Sequence, residues 1–311
     1  MPANGQAFPC NLNLSHLKKL FEAGENISDY VLRETGDPEL AVFLSYEIQA
    51  GSYIASIEGE KNTETFRRSM KQFADLFIRL GPRSILEAGV GEGTTLFNIV
   101  PFLSDAGTAF QWMGGFDLSL SRILFAQNYG KRKLEDNACS LFTGRIEQIP
   151  LADESVDLVF TSHALEPNRG KEGAIIAELY RVARQWLVLR EPSFDLGDQQ
   201  TRDHINRFRY ADNIIGTIRE GPYDVMEHRL WGYDFNPNNQ TAVTVICKSK
   251  ERKSSNVKSP QFINPITRFG LVQRDGFLYD TQGCVIFPLV SGIPCLLREN
   301  ALLCANLPEP M

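Results

Sequence analysis

The segment Ser84-Ile85-Leu86-Glu87-Ala88-Gly89-Val90-Gly91-Glu92-Gly93-Thr94-Thr95 constrains this chain more than any other. Pro82 is a breaker ahead of Ile85 and Leu86, which read as a buried strand. Glycines at 89, 91 and 93 permit positive φ and lack Cβ atoms, so a ligand can lie on the backbone. A helix beginning near Thr94 carries Leu96, Ile99 and Val100 on one face. Strand, glycine turn and helix in that order predict a parallel α/β sheet whose ligand binds at the carboxyl ends of the strands.

The glycine spacing narrows the ligand. A dinucleotide fingerprint reads G-x-G-x-x-G and places a pyrophosphate on the helix N-terminus. Here the third glycine comes one residue early, and Thr94 stands where that pattern has glycine. Glu87 and Glu92 would repel a pyrophosphate and suit a ligand with cationic groups, such as an ammonium and a sulfonium. An NAD-dependent dehydrogenase is therefore disfavoured.

The turn resembles motif I of the class I S-adenosylmethionine-dependent methyltransferases, E/D-x-G-x-G-x-G. Gly115-Phe116-Asp117-Leu118-Ser119 resembles the end of the family's second strand, where an acidic residue accepts from both ribose hydroxyls. Gly144-Arg145-Ile146-Glu147-Gln148-Ile149-Pro150 resembles its adenine loop, and Asp153 to Phe160 its fourth strand. Leu187 to Pro192 resembles the fifth strand and its exit. These matches cover residues 84–192. The resemblance implies S-adenosylmethionine as cofactor, held by Glu87, Ala88, Gly89, Gly91, Gly93, Thr94, Asp117, Leu118, Arg145, Ile146, Glu147 and Ser162. Arg145 departs from the family's usual aspartate and cannot accept from an adenine amino group, which leaves backbone groups of Ile146 and Glu147 for the base.

The implied fold is a Rossmann-like methyltransferase sheet, mostly parallel with an antiparallel last strand. Strand candidates are 84–87, 112–116, 139–142, 156–161 and 186–190. Val225 to Trp231 and Thr241 to Cys247 read as a closing antiparallel pair. Residues 1–80 read as an N-terminal helical cap. Within it Leu17, Leu20 and Phe21 form one short face, Ala41 to Ile57 one longer helix, and Thr63 to Leu80 another. Tyr46 and Tyr53 are candidates to reach the site. Residues 81–249 read as the methyltransferase domain and 250–258 as a charged linker.

The tail, 259–311, resembles the Trm112-like zinc-ribbon family, most clearly over Phe287-Pro288-Leu289-Val290-Ser291-Gly292-Ile293-Pro294-Cys295-Leu296-Leu297. The family's two zinc-binding pairs fall here on Asn264 and Thr267, and on Asp280 and Gly283, so no tetrahedral N/S ligand set remains and no metal is expected. Cys284 reads as a buried small side chain. Packing, dimerisation or substrate capping are open roles for the module.

The residues after the fourth strand would face the methyl group. Two roles are open to His163: general base near neutral pH, or hydrogen-bond partner of cofactor or backbone. Glu166 and Asn168 are candidates for a polar acceptor, or for turn structure. Arg209 and Tyr210, in the stretch 202–210, are candidates for the acceptor wall, its arginines suiting a carboxylate or phosphate. A solvated helix face is the alternative.

With a net charge of −6 and no long basic run, a small-molecule substrate is favoured over nucleic acid or protein. A methyltransferase on tRNA, rRNA or protein, and a non-enzymatic scaffold that keeps the fold, stay as alternatives. The absence of a secretory pattern in Met1 to Leu20 and of a run of about 18 apolar residues argues for a cytoplasmic protein with no membrane association. Six scattered cysteines without a C-x-x-C pair fit reduced thiols. A homodimer is left open.

Overall fold

A computed structural model describes residues 12–59, 63–108, 110–134, 139–249, 259–280 and 282–306. The charged run 250–258 lies outside the described residues.

Five helices come first: α1 (Leu14–Glu22), α2 (Ile27–Thr35), α3 (Pro38–Gln49), α4 (Ser52–Glu58) and α5 (Thr63–Leu80). Asn13, Asn26 and Asp37 start the first three by accepting from backbone N–H groups of the opening turn, and Pro38 adds a pre-set φ to α3. The expected single helix over 41–57 is instead two. Gly51 breaks it with φ 96°, and the new N-terminus is capped from far away. Glu92 accepts from Gly51 N at 3.0 Å, Tyr53 N at 3.3 Å and Ile54 N at 2.8 Å. No local periodicity could announce that break, because the cap comes from the glycine turn. Gly81 (φ 65°) and Pro82 then stop α5.

The main sheet follows: β1 (Ser84–Ala88), α6 (Thr94–Asp105), β2 (Trp112–Asp117), α7 (Leu120–Lys133), β3 (Ser140–Thr143), β4 (Val156–Ser162), α8 (Glu172–Val182) and β5 (Ala183–Pro192). Helices α9 (Gln199–Phe208) and α10 (Ile214–Glu220) precede β6 (Asp224–Leu230) and β7 (Thr241–Cys247). The strand order is β3-β2-β1-β4-β5-β7-β6. Strands β1 to β5 run parallel, whereas β7 is antiparallel to both β5 and β6. Strands β1 and β2 are buried along their whole length, as expected of a parallel sheet covered on both faces. Edge strand β6 instead alternates exposed and half-buried positions over 224–227.

The C-terminal module is a separate small antiparallel sheet: β8 (Val272–Arg274), β9 (Phe277–Asp280), β10 (Val285–Val290), β11 (Ile293–Pro294) and β12 (Leu302–Leu303). Ser291 and Gly292, at φ 53° and 79°, form a two-residue hairpin turn between β10 and β11. The module covers the β3 edge of the main sheet. Leu296 N donates to Thr143 O at 3.2 Å and to Thr143 Oγ1 at 3.1 Å, and Cys295 bridges Thr143. An exposed edge invites foreign strands, and this one is covered from within the chain. No described helix is long and apolar enough to cross a membrane.

Candidate active site

The glycine turn takes the conformation its residues require. Gly89, Gly91 and Gly93 have φ of 71°, 53° and 74°. Neighbouring side chains come close to where their Cβ atoms would stand, while Gly89 and Gly91 still line the cavities above the turn. Ideal Cβ atoms at 89, 91 and 93 would lie 2.5 Å from Ala164 Cβ, 2.6 Å from Arg122 Nη2 and 2.3 Å from the Phe97 ring. Gly93 thus serves helix packing, and buried Ala88 serves the strand. The two carboxylates of the turn are also engaged. Glu87 accepts from Leu96 N at 3.0 Å, anchoring the start of α6, and burial holds its carboxyl well above the usual range. Glu92 caps α4. Both still line the site.

Two cavities meet over this turn. The first, about 310 Å³, is lined by Val42, Phe116, Asp117, Leu118 and the adenine-loop residues Gly144 to Glu147. The second, about 320 Å³, is lined by Tyr53, Phe66, Met70, Glu87, Gly91, Thr94, Ser162, Glu166, Arg190 and Phe235, among others. Tyr46, Gly89, Arg122 and His163 line both and form the waist.

Asp117, at the end of β2, accepts from Gly91 N and Ser119 N, each at 2.9 Å. A carboxylate has about four acceptor positions, so two remain toward the first cavity. With apolar walls from Val42, Phe116, Leu118 and Ile146, this donor and acceptor set fits a nucleoside.

Arg145 lines the first cavity and is ion-paired. Its guanidinium reaches Glu299 of the C-terminal module at 3.0 Å and Glu39 of α3 at 3.9 Å. The adenine loop is therefore clamped between the two ends of the chain. Lys171 adds a second link, to Glu39 at 2.8 Å and Glu147 at 3.2 Å.

His163 follows β4 in a left-handed conformation, φ 61°. Non-glycine residues rarely adopt it, and such strain gathers at functional sites. Its Nδ1 meets Glu166 Oε2 at 2.9 Å. Glu191, at the end of β5, accepts from Ala164 N at 3.0 Å and Leu165 N at 3.1 Å and so fixes the same loop. Burial pushes the Glu191 carboxyl up to about 7.

Asn168 donates to Ala164 O at 2.9 Å and lines the first cavity, not the acceptor side. Arg209 is not brought to the site. It is the exposed C-cap of α9, at φ 54°. Tyr210 stacks on Phe208 and lines neither cavity. On the amphipathic helix α9, Arg207 is exposed and Arg202 donates from Nε to Phe194 O at 3.0 Å. The arginines that line the second cavity are Arg122 and Arg190, whose positions gave no sequence signal. Arg122 lies between the rings of Tyr46 and Tyr53, 5.0 and 4.7 Å from their centroids. A buried arginine in a strand and one in the first turn of a helix look alike to periodicity; only the tertiary fold distinguishes them from salt bridges on a rim.

Residues 86–186 match the family described as "Methyltransferase domain". No curated protein matches the sequence. Among solved structures, magnesium protoporphyrin IX methyltransferase from Synechocystis PCC 6803 with bound SAH is similar at 15% identity, covering 68% of this chain and 100% of that one, with a TM-score of 0.52. Geranyl diphosphate C-methyltransferase from Streptomyces coelicolor A3(2) is 9% identical over 57% of this chain and 76% of its own, TM-score 0.44. A complex of the Haloferax volcanii Trm112 methyltransferase activator with a methyltransferase is 15% identical over 60% of this chain and 92% of that one, TM-score 0.46. The first of these shows a shared fold. Residues 86–186 match a methyltransferase domain, and the chain has the fold of a methyltransferase solved with bound SAH.

Proposed function

We propose that the protein methylates an O or N nucleophile on a small polar metabolite or sugar-containing precursor, with His163 as general base. The observation that carries this reading is the His163–Glu166 pair at the waist between the two cavities. Asp117 would hold the ribose hydroxyls of the donor, backbone groups of Ile146 and Glu147 its base, and Arg122 its carboxylate. The bound donor supplies a methyl on a sulfonium: the S–C bond breaks, the sulfur keeps the electron pair, and the acceptor atom bonds to carbon.

The chain's own residues then handle the proton. Glu166 accepts from Nδ1–H of His163, which leaves the Nε2 lone pair to take the proton of the acceptor's hydroxyl or amine. The strained backbone at 163 and the two N–H bonds to Glu191 hold the imidazole loop in place. In the second cavity, Tyr53, Phe66, Met70 and Phe235 would exclude water from the acceptor.

We read the C-terminal module as Trm112-like, a part of the same chain docked on β3. Its support is the meeting of Asn264, Thr267, Asp280 and Gly283 at one point. That module lies at the opposite edge of the sheet from β6, and none of its described residues lines the second cavity, which favours a small acceptor over a macromolecule.

Incubating the protein with methyl-labelled donor and a cell extract tests the reading. Label is expected in the low-mass fraction, and His163→Ala should lower its rate about 10²–10⁴-fold while leaving SAH affinity within a few-fold. Label confined to protein or RNA would reject the small acceptor, and an unimpaired His163→Ala would reject the base.

A further inference from the structure

The second cavity contains an arginine that the proton-transfer scheme does not use. Arg190 lies on β5, between Ser162 of β4 and Val243 of β7. It is 3% exposed. Its Nη1 donates to Ser162 Oγ at 3.2 Å, and its guanidinium lies 5.6 Å from the centroid of the Trp231 ring. Trp231 is itself fixed, donating from Nε1 to Ser69 Oγ at 2.8 Å and packing on Phe73. The guanidinium is thus held by its surroundings before any ligand arrives. Nε and Nη2 have no hydrogen-bond partner within the protein.

The titratable groups around it are Asp234, Glu191, Glu166 and His163. Asp234 Oδ1 stands 3.6 Å from Nη2, too far for a hydrogen bond, and is taken up by Thr241 N and Thr241 Oγ1. Glu191 is occupied by two backbone N–H groups, and Glu166 by His163. A buried guanidinium with open donors is costly unless an oxygen acceptor reaches it. The same cavity offers an apolar wall of Ile57, Phe66, Met70 and Phe235 beside the polar side chains of Asn236 and Asn239.

We propose that Arg190 is the anchor for a carboxylate on the methyl acceptor, whose apolar or aromatic body rests on Phe66, Met70 and Phe235. This rests on the reading of the second cavity as the acceptor site and goes beyond it by naming the acceptor's class: a small carboxylic acid with a separate hydroxyl or amine. Arginine binds the planar carboxylate through two parallel N–H bonds. Arg190 and His163 are neighbours, since His163 N donates to Arg190 O at 3.0 Å. The anchor therefore sets the distance from carboxylate to nucleophile.

The test is a melting-temperature and calorimetric comparison with SAH present, using benzoate, cinnamate and hexanoate as probes against benzamide, cinnamamide and hexanamide. At least one acid is expected to raise the melting temperature while its amide does not. Arg190→Met should weaken that acid tenfold or more without changing SAH affinity. Because Arg190→Met leaves Asp234 buried beside an apolar chain, the double variant Arg190→Met/Asp234→Asn keeps the comparison readable if the single variant does not fold. Equal effects of acid and amide, no effect of any acid, or unchanged acid binding in the folded variant would each overturn the anchor. SAH stabilisation distinguishes this from failure of the methyl-donor reading: if SAH itself has no effect, the underlying reading falls as well.

Discussion

Two aspartates at strand ends, Asp117 and Asp280, perform the same local task with opposite outcomes. Each ties a turn to a sheet by accepting backbone N–H groups. Asp117 accepts from Gly91 and Ser119 and stops there. Asp280 accepts from Gln282 N and Gly283 N with Oδ1, and from Asn264 Nδ2 and Thr267 Oγ1, both at 2.6 Å, with Oδ2. Burial would raise the Asp280 carboxyl, but these four hydrogen bonds outweigh it and hold the group below the usual range. The first carboxylate retains acceptor capacity and borders a cavity. The second has spent its capacity and is fully buried. A binding site is thus a turn whose hydrogen bonds are incomplete in one chosen direction, and a structural knot is the same turn completed.

Asp280→Ala should give the largest effect, because it strands donors of Asn264, Thr267, Gln282 and Gly283 together. A loss of about 3–5 kcal/mol in urea unfolding is expected, with proteolysis first in 259–306. A loss under about 1 kcal/mol would remove the contrast.

Glu191 is the intermediate case, with two backbone donors like Asp117 but an inaccessible carboxyl. Its folded pKa is raised from 4.5 to about 7, chiefly by burial. The stability it contributes is therefore complete below the unfolded value and is lost as pH rises through about 7. Relative to Glu191→Gln, the wild type should lose up to about 3 kcal/mol across that window. Melting curves that stay parallel at every pH would count against a buried, protonated Glu191.

Asp117→Asn should weaken SAH binding about 10–100-fold, since hydrogen bonds to a charged acceptor contribute about 1.5–3 kcal/mol. The ligand-free fold should lose only about 1 kcal/mol, as one side-chain oxygen still accepts. Calorimetry beside thermal melts reads both. A stability loss matching that of Asp280→Ala would make the two aspartates equivalent.

The smallest effect is expected at Gly91→Ala. Its φ of 53° and the Arg122 Nη2 contact at 2.6 Å oppose a Cβ. Arg122 can move at its flexible end, so stability should fall about 1 kcal/mol, with a clearer loss in SAH affinity. If stability falls and affinity does not, Arg122 has no part in donor binding.

The sheet was legible because β1, β2 and β4 are long apolar runs punctuated by glycine and proline, and the closing pair because Pro237 and three asparagines separate two strand patterns. The place of Asp117 at the end of a strand was legible too, and the fold sets it at the border of the first cavity. Other parts were not, for a common reason: they depend on contacts between residues far apart in sequence. Glu92 capping α4 spans 38 to 41 positions. Cavity arginines were expected in the stretch 202–210, where Arg209 is exposed, whereas Arg122 and Arg190 line the second cavity and lie against Tyr46, Tyr53 and Trp231. Asn264, Thr267 and Gly283 stood out in the sequence only through a resemblance to the zinc-binding pairs of the Trm112-like family, and it takes the fold to show one carboxylate serving all three.

The clamp at Arg145 has a bearing on how the protein is made. Glu39, Arg145 and Glu299 come from three stretches separated by more than a hundred residues each. During synthesis the glycine turn and its neighbouring strands can pair long before Glu299 leaves the ribosome. The loop at 144–150 gains its tie to the C-terminal module only after that residue arrives. A chain ending at 249 would keep the Glu39 link and lack the Glu299 one, so weaker SAH binding by that chain than by the full one is the expected sign that the far end has folded home.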